Sequence, residues 1–470
     1  MRTMTGPTFT AWLRQSIFVA FCAGLSMTGC GSSSGTTGTK GGNGVSNGSS
    51  GGGASSSSGM SSGVGASSGS ASSSGSTSSS GIGSSSGSAS GSGSGSASGS
   101  GSGSGSSSGG SSGNGSSGGT PEAGTHAGNP KGSCSAGVPA LGQAASTSSP
   151  TTVIGTGTAA GCTFTALQSA VASGGVITFN CGSAPATVQV TSTLKLRTDK
   201  DTVIDGENLI TLDGGGAVQI LNFNSANWQN NETRVTLQNI TMTRGKTTPM
   251  QAIPMAPAPC SQGYDDGEGG ALYMRDGNLT VVNSIFTNNQ AAQVGPDTGG
   301  GAMYVTGSKH GVIIVDSTFT NNSASNGGAV GCLFAELDVY NSLFTGNHAT
   351  GHDANNADMS KCSVMNNGQY EIGSGGNGGA LYSDGNSVNV LLCGDDIEGN
   401  AAGTNAFGGG LFFTSNNFGG TLTITDTTMT GNTGGHWTNA QTGSITNAGT
   451  AVGTNCKSIA ITNSTVQGYP

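Results

Sequence analysis

The chain has 470 residues, of which 88 are glycine and 8% are charged, and its formal net charge is -9. This composition is too rich in glycine and too poor in charge for an average globular protein. The acidic balance and the scarcity of arginine after residue 132 argue against a surface that follows nucleic acid phosphates. We therefore expect no nucleic acid partner.

Residues 1–29 have the order of a bacterial signal peptide. Arg2 and Arg14 precede an apolar run over residues 17–25, which is too short to span a membrane permanently. The small residues before Cys30 resemble the lipobox of bacterial lipoproteins, and this resemblance implies cleavage there and a lipid on the Cys30 sulfur. Gly31 in place of aspartate implies an outer-membrane lipoprotein, held to the membrane by its lipid. The alternative is plain secretion with an incidental cysteine.

Residues 30–132 are almost entirely serine and glycine, a composition that has no apolar surface to bury. We expect a disordered tether rather than secondary structure. A flexible coil of about 100 residues spans roughly 50–60 Å, which is enough to hold a folded domain away from a membrane surface.

Eight cysteines follow the tether, and an even number in an exported protein favours disulfides. A zinc site is less favoured because there is no Cys-x-x-Cys motif and no histidine at a finger-like spacing. Spacing alone leaves the pairing open. The candidates are Cys134, Cys162, Cys181, Cys260, Cys332, Cys362, Cys393 and Cys456.

Residues 133–470 form a predicted repeat domain, with clear copies over residues 269–435. One phrase recurs at intervals of about 27 to 50 residues: Gly-Gly-Ala, an alternating apolar run, and then Phe-x-x-Asn. The first half of the phrase begins at Gly269, Gly300, Gly327, Gly378 and Gly409. The second half begins at Phe286, Phe319, Phe344, Ile397 and Met429.

The runs between these halves are short, β-branched and end in Asn/Asp-Ser/Thr turns, without the 3.6-residue period of a helix. They predict strands that lie on the matching strands of the previous repeat, about 4.8 Å apart, with apolar side chains stacked inside. Glycines would allow tight corners or close backbone approach, and stacked asparagines would form an inner hydrogen-bond ladder.

These motifs resemble the repeats of the chlamydial polymorphic outer membrane proteins. The resemblance implies an all-β fold, a right-handed parallel β-helix of the pectin-lyase type. A looser resemblance extends upstream, where residues 164–171 look like the capping helix of such a β-helix and residues 174–179 and 203–206 look like its first strands.

Proteins with this fold include polysaccharide lyases and hydrolases. The sequence contains two acidic groups that could bind a metal or take part in such catalysis. Asp265, Asp266 and Glu268 could hold calcium, although a solvated loop is the interpretation we favour. Asp395, Asp396 and Glu398 could supply the carboxylates that hydrolysis needs, but they coincide with a repeat turn, and we favour a solvated corner.

Two further groups could carry chemistry. Arg275 and Arg244 could supply the base of a lyase, but neither belongs to a lyase signature. His348, His352 and Asp353 lie close together on a predicted insert and could bind a metal, although exposure on a loop is the simpler interpretation. We therefore assign no catalytic residue and no cofactor other than the candidate calcium ion.

The leading functional expectation is a non-enzymatic, adhesin-like or envelope-associated protein that binds a polysaccharide or another surface protein. The rival is a tethered polysaccharide lyase or glycoside hydrolase, and a stalk without a ligand is a third alternative. Cys260 and Cys362 lie on two inserts before Gly-Gly-Ala corners. We expect them to stiffen a lateral recognition surface, either by pairing with each other or with nearby cysteines.

Overall fold

The structure is a computed structural model that describes residues 127–249, 267–295, 298–352, 375–404, 406–434, 447–448 and 451–468. Among these residues, no helix is both long and apolar enough to cross a membrane. Several predicted positions lie outside the described residues: Cys30, Cys260, Cys362, Asp265, Asp266 and Asp353.

The chain winds into a parallel coil with three faces, which confirms the predicted all-β parallel β-helix. Strands are numbered along the chain, and each face stacks equivalent strands of successive turns in register, apart from one short antiparallel strand at the end of face 1. Face 1 contains β4 (Leu194–Lys195), β6 (Leu221–Asn224), β8 (Leu272–Arg275), β11 (Met303–Thr306), β15 (Val330–Leu333), β19 (Leu381–Gly385), β22 (Leu411–Ser415), β25 (Asn447–Ala448) and β26 (Val452–Asn455).

Two long strands, β5 (Thr202–Asp213) and β7 (Arg234–Thr243), run through both of the other faces. Besides their first halves, face 2 contains β1 (Thr152–Ile154), β2 (Gly175–Phe179), β9 (Asn278–Val282), β12 (Val312–Val315), β16 (Leu337–Tyr340), β20 (Val390–Cys393), β23 (Thr421–Thr425) and β27 (Ser458–Thr462). Besides their second halves, face 3 contains β3 (Ala186–Gln189), β10 (Ile285–Thr287), β13 (Thr318–Thr320), β17 (Leu343–Thr345), β21 (Asp396–Glu398), β24 (Thr428–Thr430) and β28 (Thr465–Val466). A corner adds the short strands β14 (Ser323–Ala324) and β18 (His348–Ala349).

The predicted capping helix is present as α1 (Phe164–Ser173), which packs against β1 and β4 at the first turns of the coil. The Thr163 side chain accepts a hydrogen bond from the Ala166 amide and so caps the helix N-terminus. The helix ends at Gly174, whose φ of 64° favours glycine. Its apolar face covers the end of the core with Leu167, Ala170 and Val171.

The inward phenylalanines of the Phe-x-x-Asn motif form a stack. The ring centroids of Phe286 and Phe319 are 4.9 Å apart, those of Phe319 and Phe344 are 4.7 Å apart, and the ring planes are nearly parallel. Ile397 and Met429 continue the column in later turns. Because all five side chains are fully buried, the stack removes a continuous apolar column from water.

The predicted asparagine ladder is also present, and its members are buried. From Asn322 onward, each side-chain oxygen accepts hydrogen bonds of 2.9–3.1 Å from the backbone amide and the Nδ2 of the asparagine one turn earlier. Each Nδ2 also donates to a main-chain carbonyl of the preceding turn, as Asn322 does to Phe286 at 3.0 Å. The ladder consists of Asn289, Asn322, Asn347, Asn400 and Asn432.

A second ladder follows the corner between faces 2 and 3. The amide of Ser284 donates to the Ser317 hydroxyl at 3.2 Å, and the amide of Ser317 donates to the Ser342 hydroxyl at 3.1 Å. The residue before each hydroxyl has a left-handed backbone, with φ between 45° and 53°. Asparagine, aspartate and glycine tolerate this conformation best, which explains the Asn/Asp-Ser/Thr turn signature.

The two glycines of the Gly-Gly-Ala corner have different roles. Gly300 has φ 67°, a left-handed conformation. A Cβ on the next residue, Gly301, would lie 2.1 Å from the Gly328 carbonyl oxygen. The first glycine therefore provides the turn, and the second allows two turns of the coil to approach each other.

Residues 127–151 form an arm that crosses the outer surface of face 2. Residues 127–132, which the sequence placed in the tether, are already hydrogen-bonded to the coil: the Asn129 amide donates to the Asn341 carbonyl at 2.8 Å. Val138 packs on an apolar patch that contains Ile313, Val315 and Tyr340. Burial raises the pKa of Tyr340 to about 12.

Four of the candidate cysteines form two disulfides: Cys134 with Cys393, which clamps the arm to β20, and Cys162 with Cys181. The prediction was wrong for Cys332 and Cys456, which are free, buried thiols. Cys332 lies within β15 among core side chains, and burial raises its pKa to about 12. These two cysteines are apolar packing residues, a common role for buried thiols.

We predict that Asn347→Ala will lower the free energy of unfolding by about 3 kcal/mol or more. The loss follows because the buried Asn322 amide and Nδ2 lose their acceptor, and each unsatisfied group costs about 1–3 kcal/mol. Asn321→Gly is the matched control, because Asn321 is exposed with φ 54° and lies outside the ladder. Urea denaturation followed by circular dichroism measures both, and equal losses in the two variants would contradict the role of the ladder.

We predict that removing the Cys134–Cys393 disulfide with two alanines will cost more stability than removing Cys162–Cys181 in the same way. The bridged residues are 259 apart in the first pair and 19 apart in the second. Loop-closure entropy then gives losses of roughly 5.5 and roughly 3 kcal/mol. Denaturation of both double variants measures the difference, and a larger loss for the shorter loop would be the opposite of this expectation.

Candidate functional site

An open cleft of about 530 Å³ lies on the outer surface of face 1, over its first three strands, β4, β6 and β8. The strand register sets its floor on β6 and β8: Asn222 and Tyr273 are equivalent positions of successive turns, and Asn224 and Arg275 form the next column. The lining residues are Thr193, Ala217, Val218, Gln219, Asn222, Asn224, Lys246, Thr247, Thr248, Gly267, Glu268, Tyr273 and Arg275.

One wall of the cleft is held in place by hydrogen bonds around Gln219. The Gln219 Nε2 donates to the carbonyl oxygens of Glu268 at 3.0 Å and Gly269 at 2.8 Å. Asn222 donates to the Gln219 Oε1 at 2.8 Å, and the Thr247 hydroxyl donates to Gly269 at 2.7 Å. The segments before and after the insert at 250–266 are therefore tied to β6, which preorganises this wall.

The chemistry of the cleft is polar and basic, with one aromatic ring. Arg275 and Lys246 contribute two cations, Tyr273 contributes a ring, and Glu268 is the single carboxylate among the described lining residues. Planar guanidinium groups bind carboxylates and other anionic groups with directional hydrogen bonds, whereas rings and amides suit sugar faces and hydroxyls. The cleft thus suits a polar, preferentially anionic ligand.

The candidate calcium group is only partly within the described residues. Glu268 is buried in the cleft wall, at 4% exposure, and Asp265 and Asp266 lie outside. Within the described ranges, no three His, Cys, Asp or Glu side chains lie close enough together to hold a metal ion. Glu268 is therefore the one predicted calcium ligand that lies within the described residues.

The structure does not bring Asp395, Asp396 and Glu398 together in a groove. Asp395 is fully buried in the corner ladder, where its carboxyl accepts the Ser342 amide at 2.8 Å and the Cys393 amide at 2.9 Å. Asp396 and Glu398 face outward from β21, beside threonines of β24. The expectation of a solvated corner was therefore wrong for Asp395, because it replaces a ladder hydroxyl inside the coil.

We predict that Asp395→Ser will fold normally and that its free energy of unfolding will decrease less with rising pH than that of the wild type. Burial raises the pKa of Asp395 well above its usual value, so the neutral carboxyl is favoured in the folded state. That stability is present at low pH and is lost as the pH rises through the raised pKa. Serine occupies the equivalent position in other turns.

The measurement is the free energy of unfolding from pH 4 upward in the wild type and Asp395→Ser. Asp199→Asn, at an exposed aspartate, is the control for loss of a carboxylate. If the free energy of unfolding of Asp395→Ser fell with pH as steeply as that of the wild type, Asp395 would not be the source of the pH dependence.

The remaining candidates are dispersed. Arg244 pairs with Asp213 at the end of face 3, and Arg275 lies in the cleft. His348 belongs to β18 and continues the coil, rather than opening an insert as predicted, and His352 forms an isolated bridge with Thr404. The described structure therefore brings only Arg275 and Glu268, among the predicted chemical groups, into one site.

Comparison with known proteins identifies no relative: no family model, curated protein or solved structure matches the chain. Sequence reasoning missed Lys246, Tyr273, Gln219 and Asn222, because only their alternation with inward residues in successive turns places them on one surface. An alignment of the upstream strands with the later repeats could have placed Asn222 beside Tyr273.

Proposed function

We propose that this protein is an exported, lipid-anchored surface protein whose β-helix binds a glycan in the face 1 cleft. The observation that carries the proposal is the cleft itself, an open polar site with Arg275, Lys246 and Tyr273 on a rigid strand floor. A ligand with hydroxyls and acidic groups is complementary to this lining.

The sequence features around the domain fit this role. We propose export through the signal peptide, a lipid on Cys30 at the outer membrane and a Ser/Gly tether that extends the binding domain outward. We also propose that the coil is the right-handed, pectin-lyase type, with repeats of the chlamydial polymorphic outer membrane protein kind.

A second candidate is a polysaccharide lyase, and the presence of both Arg275 and Lys246 in the cleft lining is the observation that favours it. A positioned basic residue removes the proton next to a uronate carboxylate in lyases. Hydrolysis is less favoured, because it needs two carboxylates across the groove and the described lining supplies Glu268 alone.

We predict that Arg275→Ala will weaken binding to polygalacturonate by roughly tenfold or more, since a hydrogen bond to a charged group contributes about 1.5–3 kcal/mol. Arg197→Ala removes the same charge from an exposed arginine that does not line the cleft, and it should bind like the wild type. Isothermal titration of the full mature chain, after a glycan array to rank acidic and neutral glycans, measures this difference. Failure to bind any glycan, or equal losses in both variants, would overturn the assignment.

The lyase alternative has a separate readout. The full chain is incubated with pectate, alginate and glycosaminoglycans, with and without calcium, while the absorbance of unsaturated products and the reducing ends are followed. The binding proposal predicts no turnover. Turnover that disappears in Arg275→Ala would instead make the chain a lyase.

A further inference from the structure

The loop of residues 225–233 joins β6 to β7 at the edge of the cleft and carries Trp228. The Trp228 ring packs edge-on against Phe334, with centroids 5.8 Å apart and planes at 71°. The Gln229 amide donates to the Gly307 carbonyl at 3.0 Å. A Cβ on Gly307 would lie 2.5 Å from two Trp228 ring atoms, so the indole lies directly over this glycine.

A buried carboxyl lies next to the indole. Asp276 follows Arg275 at the end of β8 and is 0% exposed, and a Cβ on Gly307 would also lie 2.6 Å from its Oδ1. Within the described part of the chain, neither carboxyl oxygen has a hydrogen-bond partner. The nearest opposite charge is the Arg275 Nε, 4.0 Å from Asp276 Oδ2. An ionised carboxylate in this position is costly, because it has lost water and gained no donor.

The outer end of the same loop is held by charges. Glu232 accepts a hydrogen bond from the Lys309 Nζ and contacts the His310 Nε2 at 2.6 Å. The His310 contact is an ion pair only when the imidazole is protonated. Lys309 and His310 lie on the turn that begins at Gly307, so these contacts fasten the loop to the turn on which Trp228 rests.

We propose that the 225–233 loop is a pH-sensitive latch on the glycan cleft, closed when Asp276 is neutral and released when Asp276 ionises. This inference rests on the proposed function, because it assigns a regulation to the same cleft. On release, the Asp276 carboxylate gains water and competes with an acidic ligand for the guanidinium of Arg275, which lines the cleft.

The direction of the effect follows from the charges that face Asp276. Burial raises the pKa of Asp276 to about 6, although the neighbouring Arg275 charge acts in the opposite direction. A raised carboxyl pKa stabilises the closed state at low pH, and this stability is lost as the pH rises through about 6.

The test is a titration of Trp228 fluorescence between pH 4.5 and 8 in the full mature chain, in a Trp437→Phe background. Acrylamide quenching should increase with a midpoint near pH 6, because the indole becomes accessible. The difference between the usual Asp pKa of 3.8 and about 6 corresponds to a shift of up to roughly a hundredfold in the open-to-closed ratio.

Asp276→Asn and Asp276→Leu both remove the ionisation, and either should keep the quenching low across this range. Asp199→Asn, at an exposed carboxylate, should titrate like the wild type. Circular dichroism confirms that each variant is folded, and Asp276→Leu provides the result if the buried amide of Asp276→Asn disturbs folding.

Two outcomes would overturn the latch: flat quenching in the wild type, or a wild-type titration in the folded Asp276 variants. Polygalacturonate binding in the same samples separates the two proposals. Binding that weakens above pH 6 in the wild type and stays constant in Asp276→Leu supports both. A quenching transition without polygalacturonate binding supports the latch and rejects the glycan cleft. Binding that is independent of pH, together with flat quenching, supports the glycan cleft and rejects the latch.

Discussion

The structure depends on the requirement that the backbone groups of every coil corner find hydrogen-bond partners inside the protein. On the three faces, hydrogen bonds between neighbouring strands satisfy the backbone N–H and C=O groups. At each corner the chain leaves the strand, so its backbone groups need other partners. The buried asparagines solve this problem at the end of face 3, since one side-chain oxygen accepts two N–H groups and one Nδ2 donates to the adjoining asparagine and carbonyl. The hydroxyl ladder solves it between faces 2 and 3.

Because the corners are satisfied, the side chains can repeat along the axis at the strand spacing. The phenylalanine column and the cleft floor are two consequences of the same register, one inside the coil and one outside it. The cleft occurs at the helix-capped end, where the outward positions of β6 and β8 are polar. Rigid strands place these side chains more accurately than loops can, and this favours a preformed binding surface.

The repeated elements could be predicted from the sequence because each position in them has one physical reason that recurs in every turn. Phe319 stacks on Phe344, and Asn322 donates a hydrogen bond to Asn347. Gly300 provides a tight turn and Gly301 allows two turns of the coil to approach each other, and both requirements recur throughout the coil. The capping helix was predictable because Thr163 and Gly174 bound an apolar stretch.

Features that occur once could not be predicted in this way. The arm continues a segment rich in small residues, and only the three-dimensional position of Cys393 brings it to Cys134. Cysteine spacing could not separate Cys332 from the paired cysteines, although Cys332 occupies the inward strand position that Val305 holds one turn earlier. Asp276 and Trp228 are distant in sequence and meet only across the turn at Gly307.

The most direct test of the ladder is residue-resolved hydrogen exchange in the full chain. The account predicts that the backbone amides of Asn322, Asn347 and Asn400 exchange only on global unfolding, because each donates to a buried asparagine oxygen. If these amides exchanged by local opening, well below the global free energy of unfolding, the ladder would not be the interaction that holds the coil together.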